Sequence, residues 1–370
     1  MTRRLPLAAR HGDGGASLTT VWDVELPARF GDDPAREHRH VRERAGLVDG
    51  SYRAVIDLAG DGAPDLLERI SSNSSGRLSP GSGQHSCILT AKGRLVAAFA
   101  LFRLAGGEYR IILGEPSRPE LVNELEKYAL LSGVEVTDRS DSVSLLSVLG
   151  PRSRDVIGAA GHFRELPDTP FDCVAGEVTG RQVSVVRVAG LSPEGYEIWA
   201  AARDLPAIWD ELREGVGSVG GGPVGWTALE SLRLEAGLAL HGLDYEDDSF
   251  PSEVGWEHAL TFDKCYVGQE IVARMRTYGQ ANRKLFQVFP AGEQVVPAGS
   301  RLVVGDREVG EITSSGYSYF HGAPLALGRV KRRFWGDGSI AVEVGGERRP
   351  VRLEELPGRR GGTPEETDPR

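Results

Sequence analysis

Gly83 to Gly114 reads GQHSCILTAKGRLVAAFALFRLAGGEYRIILG. Three runs rich in apolar residues, HSCILT, LVAAFALFR and YRIIL, are separated by Lys92-Gly93 and Gly106-Gly107. Glycine-containing turns of that length join neighbouring antiparallel strands. The stretch predicts three strands of an antiparallel sheet.

Upstream, DPAREHRHVRERAGLVD (Asp33 to Asp49) reads as a helix, with Pro34 near its first turn and Gly46 as its stop. YRAVIDLAG alternates like a half-buried strand, and APDLLERISS is a short helix. Downstream, SRPELVNELEKYALLSG is an amphipathic helix stopped at Gly133. The set then recurs. SVSLLSVLG, EVTGRQVSVVRVAG and GYEIWAA read as strands; RSRDVIGAA and RDLPAIWDELREG read as helices. After Arg283 short strands joined by glycine turns predict a small β-barrel. The fold class is therefore α+β: two antiparallel units of similar layout, then a barrel. The expected divisions are a disordered lead-in (1–18), a core (19–282, in units of about 19–140 and 141–282), the barrel (283–356) and a disordered tail (357–370).

The 370 residues carry a net charge of −10, so nothing in the balance attracts nucleic acid or an anionic membrane surface. No apolar run reaches spanning length, and MTRRLPLAAR lacks the apolar stretch of a signal peptide. Three widely spaced cysteines, Cys87, Cys173 and Cys265, fit a reducing cytoplasm and no metal-ligand spacing.

Candidate chemistry is sparse. GVGSVG (Gly215 to Gly220) matches the dinucleotide fingerprint, but a helix precedes it where that motif needs a strand. His38 and His40 fall two apart on a helix and so point to different faces. Glu197 interrupts an apolar strand between Tyr196 and Trp199; it is either a solvent-facing carboxylate or an acceptor for the paired donors of a planar ligand edge. Arg233 and Glu235 close a helix that stops at Gly237, where the bland reading is a dipole complement and an exposed ion pair. Cys265 follows Lys264 and precedes Arg274 and Arg276; nearby positive charge favours a thiolate, although a lone cysteine is more often a small buried hydrophobe.

Together these blocks resemble a known superfamily. DKCYVGQEIVARM is similar to the K-G-C-Y-x-G-Q-E signature of the folate-binding, iron–sulfur-cluster-maturation (YgfZ-type) branch of the aminomethyltransferase superfamily, and LRLEAGLALHG and SFPSEVGWEHALTFDK fit the same branch. EHRHVRERAGLVDGSY, DRSDSVSLLSVLGPRSRDVI, GLSPEGYEI and GDREVGEITSSGYSYFHGAPLALGRVKR resemble blocks of the glycine-cleavage T-protein branch. Two positions depart. Ala97 and Ala98 stand where T-proteins carry paired aspartates, and Asp263-Lys264-Cys265 lacks the glycine before the cysteine.

The resemblance implies two ferredoxin-like units around a folate funnel, with tetrahydrofolate as the ligand. By the same resemblance, Glu197 holds the pterin edge beside Tyr196. Arg233 supports the pocket or meets a folate carboxylate, and Asn73 faces the pocket. Cys265 is the reactive group, tuned by Lys264 in a loop fixed by Gln269 and Glu270. The process implied is assembly or repair of iron–sulfur enzymes, with those enzymes as partners beside a reduced folate. Two alternatives stay open: a folate-dependent aminomethyl or methyl transferase or demethylase using another acid–base group, and a non-catalytic folate-sensing module.

Overall fold

The computed structural model describes residues 3–188, 190–279 and 281–357, without the side chain of Tyr278. The opening meander forms as its turns predict. Ser82–Leu89, Leu95–Arg103 and Tyr109–Leu113 pair antiparallel in that order, and Ala54–Ala59 and Glu135–Asp138 extend the sheet to five strands. Side chains of a strand alternate between faces. Ala97, Phe99 and Leu101 accordingly pack on Leu66, Leu67, Leu121 and Leu125 of the helices Ala63–Ile70 and Arg118–Ala129. Ala100 and Phe102 take the opposite face.

The second unit has seven strands, in the order Gly161–Phe163, Cys173–Val178, Arg181–Arg187, Gly195–Ala201, Val143–Leu149, Gly46–Asp49 and Gly222–Pro223. All neighbours are antiparallel except the last pair. Its outer face buries Tyr196, Ile198 and Ala200 against Ile208, Trp209 and Leu212 of the helix Leu205–Ser218. Its inner face meets the first sheet: Val55, Phe102 and Ile112 pack with Leu145, Val186 and Trp199. The rings of Phe102 and Trp199 meet edge to face with centroids 4.8 Å apart. The two sheets thus lie inner face to inner face, with helices outside.

Six strands from Arg283–Pro290 to Glu347–Glu355 close into a barrel filled by Leu302, Ile312, Ala326, Val330 and Val342. Among the described residues no helix is long and apolar enough to cross a membrane.

Two expectations change. Residues 1–18 are not a disordered lead-in as far as they are described: Arg3–Arg4 pairs parallel to Val24–Phe30, Ala8–Asp13 is helical, and Ala16–Val21 forms a hairpin with Val24–Phe30. The anchors are Leu5 and Leu7, both buried, and His11, whose Nε2 lies 2.8 Å from an Asp49 carboxylate oxygen. The helix expected to run to a stop at Gly46 ends at Glu43, and Gly46–Asp49 is a fully buried strand. As the preceding helix predicts, Gly215 to Ser218 lie in the last turn of a helix, and GVGSVG offers no strand-to-helix phosphate loop. The tail beyond 357 lies outside the described residues.

Glu235 ties three elements together. Its carboxylate faces His38 Nε2 at 2.9 Å, and accepts from Arg42 Nη2 at 2.6 Å, Ser231 Oγ at 2.9 Å, Ser318 Oγ at 2.7 Å and the Phe320 amide at 3.1 Å. Burial pushes its pKa up, but the hydrogen bonds from His38, Arg42 and Ser318 outweigh burial and hold it at about 2, below the usual 4.5. A carboxyl lowered on folding stabilises fully above its unfolded pKa and loses that contribution as pH falls through the folded value. Stability is therefore expected to fall between about pH 4.5 and pH 2, by up to about 3 kcal/mol from this group. Urea unfolding across that range checks it; Glu235→Gln should flatten the pH dependence, and an unchanged slope would refute the assignment.

Candidate functional site

Between the two sheets and the helix Trp226–Glu235 lies a cavity of about 250 Å³. Tyr52, Phe102, Phe171 and Trp226 supply aromatic walls, and Tyr52, Arg53, His85, Glu197, Glu230 and Arg233 supply its titratable groups. Phe171 is held at φ +70°, a left-handed conformation uncommon for a bulky residue. Its ring packs edge to face on His85 with centroids 4.7 Å apart.

Alternation places Glu197. Tyr196 and Ile198 enter the helix-covered core, so Glu197 and Trp199 face inward. Glu197 is only 4% exposed. Arg53 Nη2 and Ser147 Oγ donate to its Oε2, the latter at 3.1 Å, and Trp199 Nε1 donates to Oε1 at 2.7 Å. Tyr196 does not share the site: it points to the other face, where its hydroxyl accepts from Arg154 at 2.9 Å.

Arg233 reaches the same cavity, but all of its donors are engaged. Nε and Nη2 donate to Glu230, Nη1 to Asp244 Oδ2 at 2.7 Å and to the Leu238 carbonyl at 2.6 Å, and Nη2 to Ser314 Oγ at 2.7 Å. A guanidinium has five N–H donors, so none is left for a ligand carboxylate. Burial pulls its pKa down, yet Asp244 and Glu230 outweigh burial and leave it raised. Arg233 joins the helix and the 238–244 loop to the barrel strand Arg307–Ser318, and so supports the pocket.

Asn73 is outside the lining: its amide donates to the His85 carbonyl at 3.1 Å and its Oδ1 accepts from the Ser74 amide. The cysteine segment is also separate. Cys265 is exposed and lines neither this cavity nor a second one of about 670 Å³ between the helix Gln269–Tyr278 and the barrel. Lys264 turns to the end of the helix Ala63–Ile70, donating to the Glu68 carbonyl at 2.6 Å with the Glu68 carboxylate at 3.6 Å. Burial lowers the Lys264 pKa, against the pull of Glu68. Gln269 does fix the loop by donating to the Lys264 carbonyl, whereas Glu270 is exposed and pairs with Arg274 on its own helix. Gly268 has φ +81°, and a Cβ there would lie 2.4 Å from the Thr90 carbonyl, so glycine is required where this turn docks on the Thr90–Arg94 hairpin.

Ala97 and Ala98 are both buried, so neither position offers the cavity an ionisable group. Sequence reasoning missed Tyr52, Arg53, His85, Phe171, Trp226 and Glu230. Glu230 and Arg233 at i and i+3 on one helix were a legible pair. Trp226 stands four residues before Glu230 on the same helix, Tyr52 and Arg53 adjoin in one turn, and His85 and Phe171 come from separate elements with no shared spacing. Among the described residues no cluster of three His, Cys, Asp or Glu side chains is placed to hold a metal ion.

Comparison with known proteins covers most of the chain. Residues 7–264 match the model of the GCVT N-terminal domain, and residues 283–357 match that of the glycine cleavage T-protein C-terminal barrel domain. An aminomethyltransferase of Cutibacterium acnes is 30% identical over 366 residues, 96% of this chain and 98% of the relative. One of Symbiobacterium thermophilum is 29% identical over 364 residues, covering 96% of each. The crystal structure of glycine cleavage system aminomethyltransferase T from Bartonella henselae superimposes with a TM-score of 0.87 over 96% of this chain and 98% of that one, at 24% identity, a likeness of fold.

The Arg233 cluster generates a direct expectation. Arg233→Met leaves Asp244, fully buried, and Glu230 without their cation. Breaking a buried pair on one side is expected to cost about 3–5 kcal/mol. Urea denaturation measures it, and a loss below about 1 kcal/mol would show that the cluster is not an anchor.

Proposed function

The chain belongs to the glycine-cleavage T-protein family, and we propose that within it this protein is a folate-dependent one-carbon transferase. The observation that carries the reading is Glu197: a buried carboxylate on the wall of an aromatic-lined cavity between the two sheets. The donor set fits a reduced folate. Tyr52, Phe102, Phe171 and Trp226 offer faces and edges to a planar heteroaromatic ring. A carboxylate has about four acceptor sites; Arg53, Ser147 and Trp199 take three. The fourth accepts one ring donor, and Arg53, whose side chain is 27% exposed, is the partner with room to yield a second. Bound there, a reduced folate supplies the ring nitrogens that accept a one-carbon unit. Glu197 orients it, Arg53 pairs with Glu197, and Arg233 holds the cavity's floor through Glu230.

Calorimetry with tetrahydrofolate is expected to give micromolar-range affinity, about −8 kcal/mol. Glu197→Ala should weaken it by roughly 1.5–3 kcal/mol, the value of a hydrogen bond to a charged group. A panel of amine, methyl and lipoyl-carrier one-carbon donors then tests transfer. With Ala97 and Ala98 in place of the paired aspartates, aminomethyl transfer from the lipoyl carrier should run about 10²–10⁴-fold slower than in relatives that carry the acidic group. Absence of folate binding, or unchanged affinity in Glu197→Ala, removes the proposal.

A second reading, a role in iron–sulfur enzyme assembly or repair, is favoured by one observation: the Cys265 thiol is exposed, in a loop held by Gln269. Cys87 is buried, and burial pushes the Cys173 thiol up to about 11. Alkylation followed by mass spectrometry is expected to label Cys265 first, Cys173 slowly and Cys87 last in the folded protein. Cys265→Ser should leave folate affinity intact while lowering iron–sulfur enzyme activity in cells that depend on the protein. Slowest labelling at Cys265, or no cellular effect, would make the thiol structural.

A further inference from the structure

The folate cavity is joined to the second cavity by two imidazoles. His85, on the strand Ser82–Leu89, lines the first; His258, in the short turn Glu257–Ala259, lines the second. His85 Nδ1 and His258 Nε2 are 2.9 Å apart, a hydrogen bond whose proton sits on either ring. Trp256 braces both rings, edge-on to His85 at 5.1 Å and stacked on His258 at 5.5 Å. The backbone on each side is clamped by one loop. Ser72 Oγ donates to the Ala259 carbonyl at 2.6 Å, the Thr261 amide donates to the Ser72 carbonyl at 2.9 Å, and Asn73 donates to the His85 carbonyl at 3.1 Å. Asn73 thus acts on the cavity through His85.

Among the described residues, the carboxylates on the cavity wall are already held by guanidinium groups. Glu197 is tied to Arg53, Glu230 to Arg233, and Tyr52 is pushed above its usual range by burial. Positions 97 and 98 offer no carboxylate. Resting on the transferase reading, we propose that His85 is the catalytic base of this protein and that His258 positions it and relays its proton to the second cavity. His85 accepts at Nε2 the proton shed by an amine as it forms its new bond. It releases the Nδ1 proton to His258 Nε2, and His258 passes its own Nδ1 proton on toward the second cavity that it lines. One proton enters and one leaves, and both rings end as the opposite tautomers. Among the described residues, the charged and titratable groups that share a cavity with one of the two rings are Tyr52, Arg53, Glu197, Glu230 and Arg233 in the first, and Glu257, Arg276, Lys284 and Glu355 in the second.

Two measurements on the full chain test this. Imidazole nitrogen NMR, without folate, should show His85 and His258 titrating as one coupled pair in two steps more than about one pH unit apart. His258→Leu should collapse this to a single step for His85. In the donor panel, His85→Gln should lose about 10²–10⁴-fold in turnover with tetrahydrofolate affinity within about threefold of wild type, which also shows that the variant folds. His258→Leu should move the acid limb of kcat/KM to lower pH by about one unit, because the shared proton no longer holds on His85. Independent single-step titrations, or His85→Gln turnover within threefold of an active wild type, overturn the relay alone. A wild type that binds folate but transfers nothing from any donor overturns the transferase reading and the relay together.

Discussion

The fold hangs on one buried cation. Arg233 sits at the end of the helix that floors the cavity, and its five donors reach Glu230 on the same helix, the Leu238 carbonyl and Asp244 in the following loop, and Ser314 on the barrel. A guanidinium so far from water is tolerable only with every donor matched. That demand fixes where the loop turns back and where the barrel docks. Asp244, in turn, accepts from the Leu240 amide, Thr313 and Ser314, so its charge is distributed over the loop and the barrel. Glu235 does the same two residues on, toward the helix Pro34–Glu43 and the barrel residue Ser318.

This arrangement leaves the central cavity with little unmatched charge. Glu197 and Glu230 each face a guanidinium, and the remaining walls are mostly aromatic or aliphatic. Such a cavity favours a planar, largely apolar guest with a few donors at one edge. Ala97 and Ala98, buried in the first sheet, add no carboxylate of their own.

The cysteine segment serves a different part of the molecule. Its polar residues look like a reactive constellation in one dimension, yet in space they diverge. Lys264 closes the end of the helix Ala63–Ile70, Gln269 ties the loop to itself, Glu270 pairs with Arg274, and the Arg276 guanidinium lies over the Phe262 ring. The Cys265 side chain is exposed and lines neither cavity.

Local pattern was enough to read the α+β class, the three-stranded meander, the two-unit repeat and the barrel, because alternation and glycine turns are local signals. It also singled out Glu197, since a carboxylate in an apolar strand is conspicuous, and Arg233 beside its helix stop. What local pattern missed depends on which faces meet. Residues 3–21 look polar and unstructured alone, but Leu5, Leu7 and His11 find a core made by distant strands. Tyr196 and Glu197 are neighbours in sequence and lie on opposite faces of one strand. Arg53, His85, Phe171 and His258 carry no motif, and they converge only because two sheets close inner face to inner face over the helix Trp226–Glu235. Periodicity along the chain determines which residues are buried; the packing of one sheet on the other decides which of those buried residues become a site.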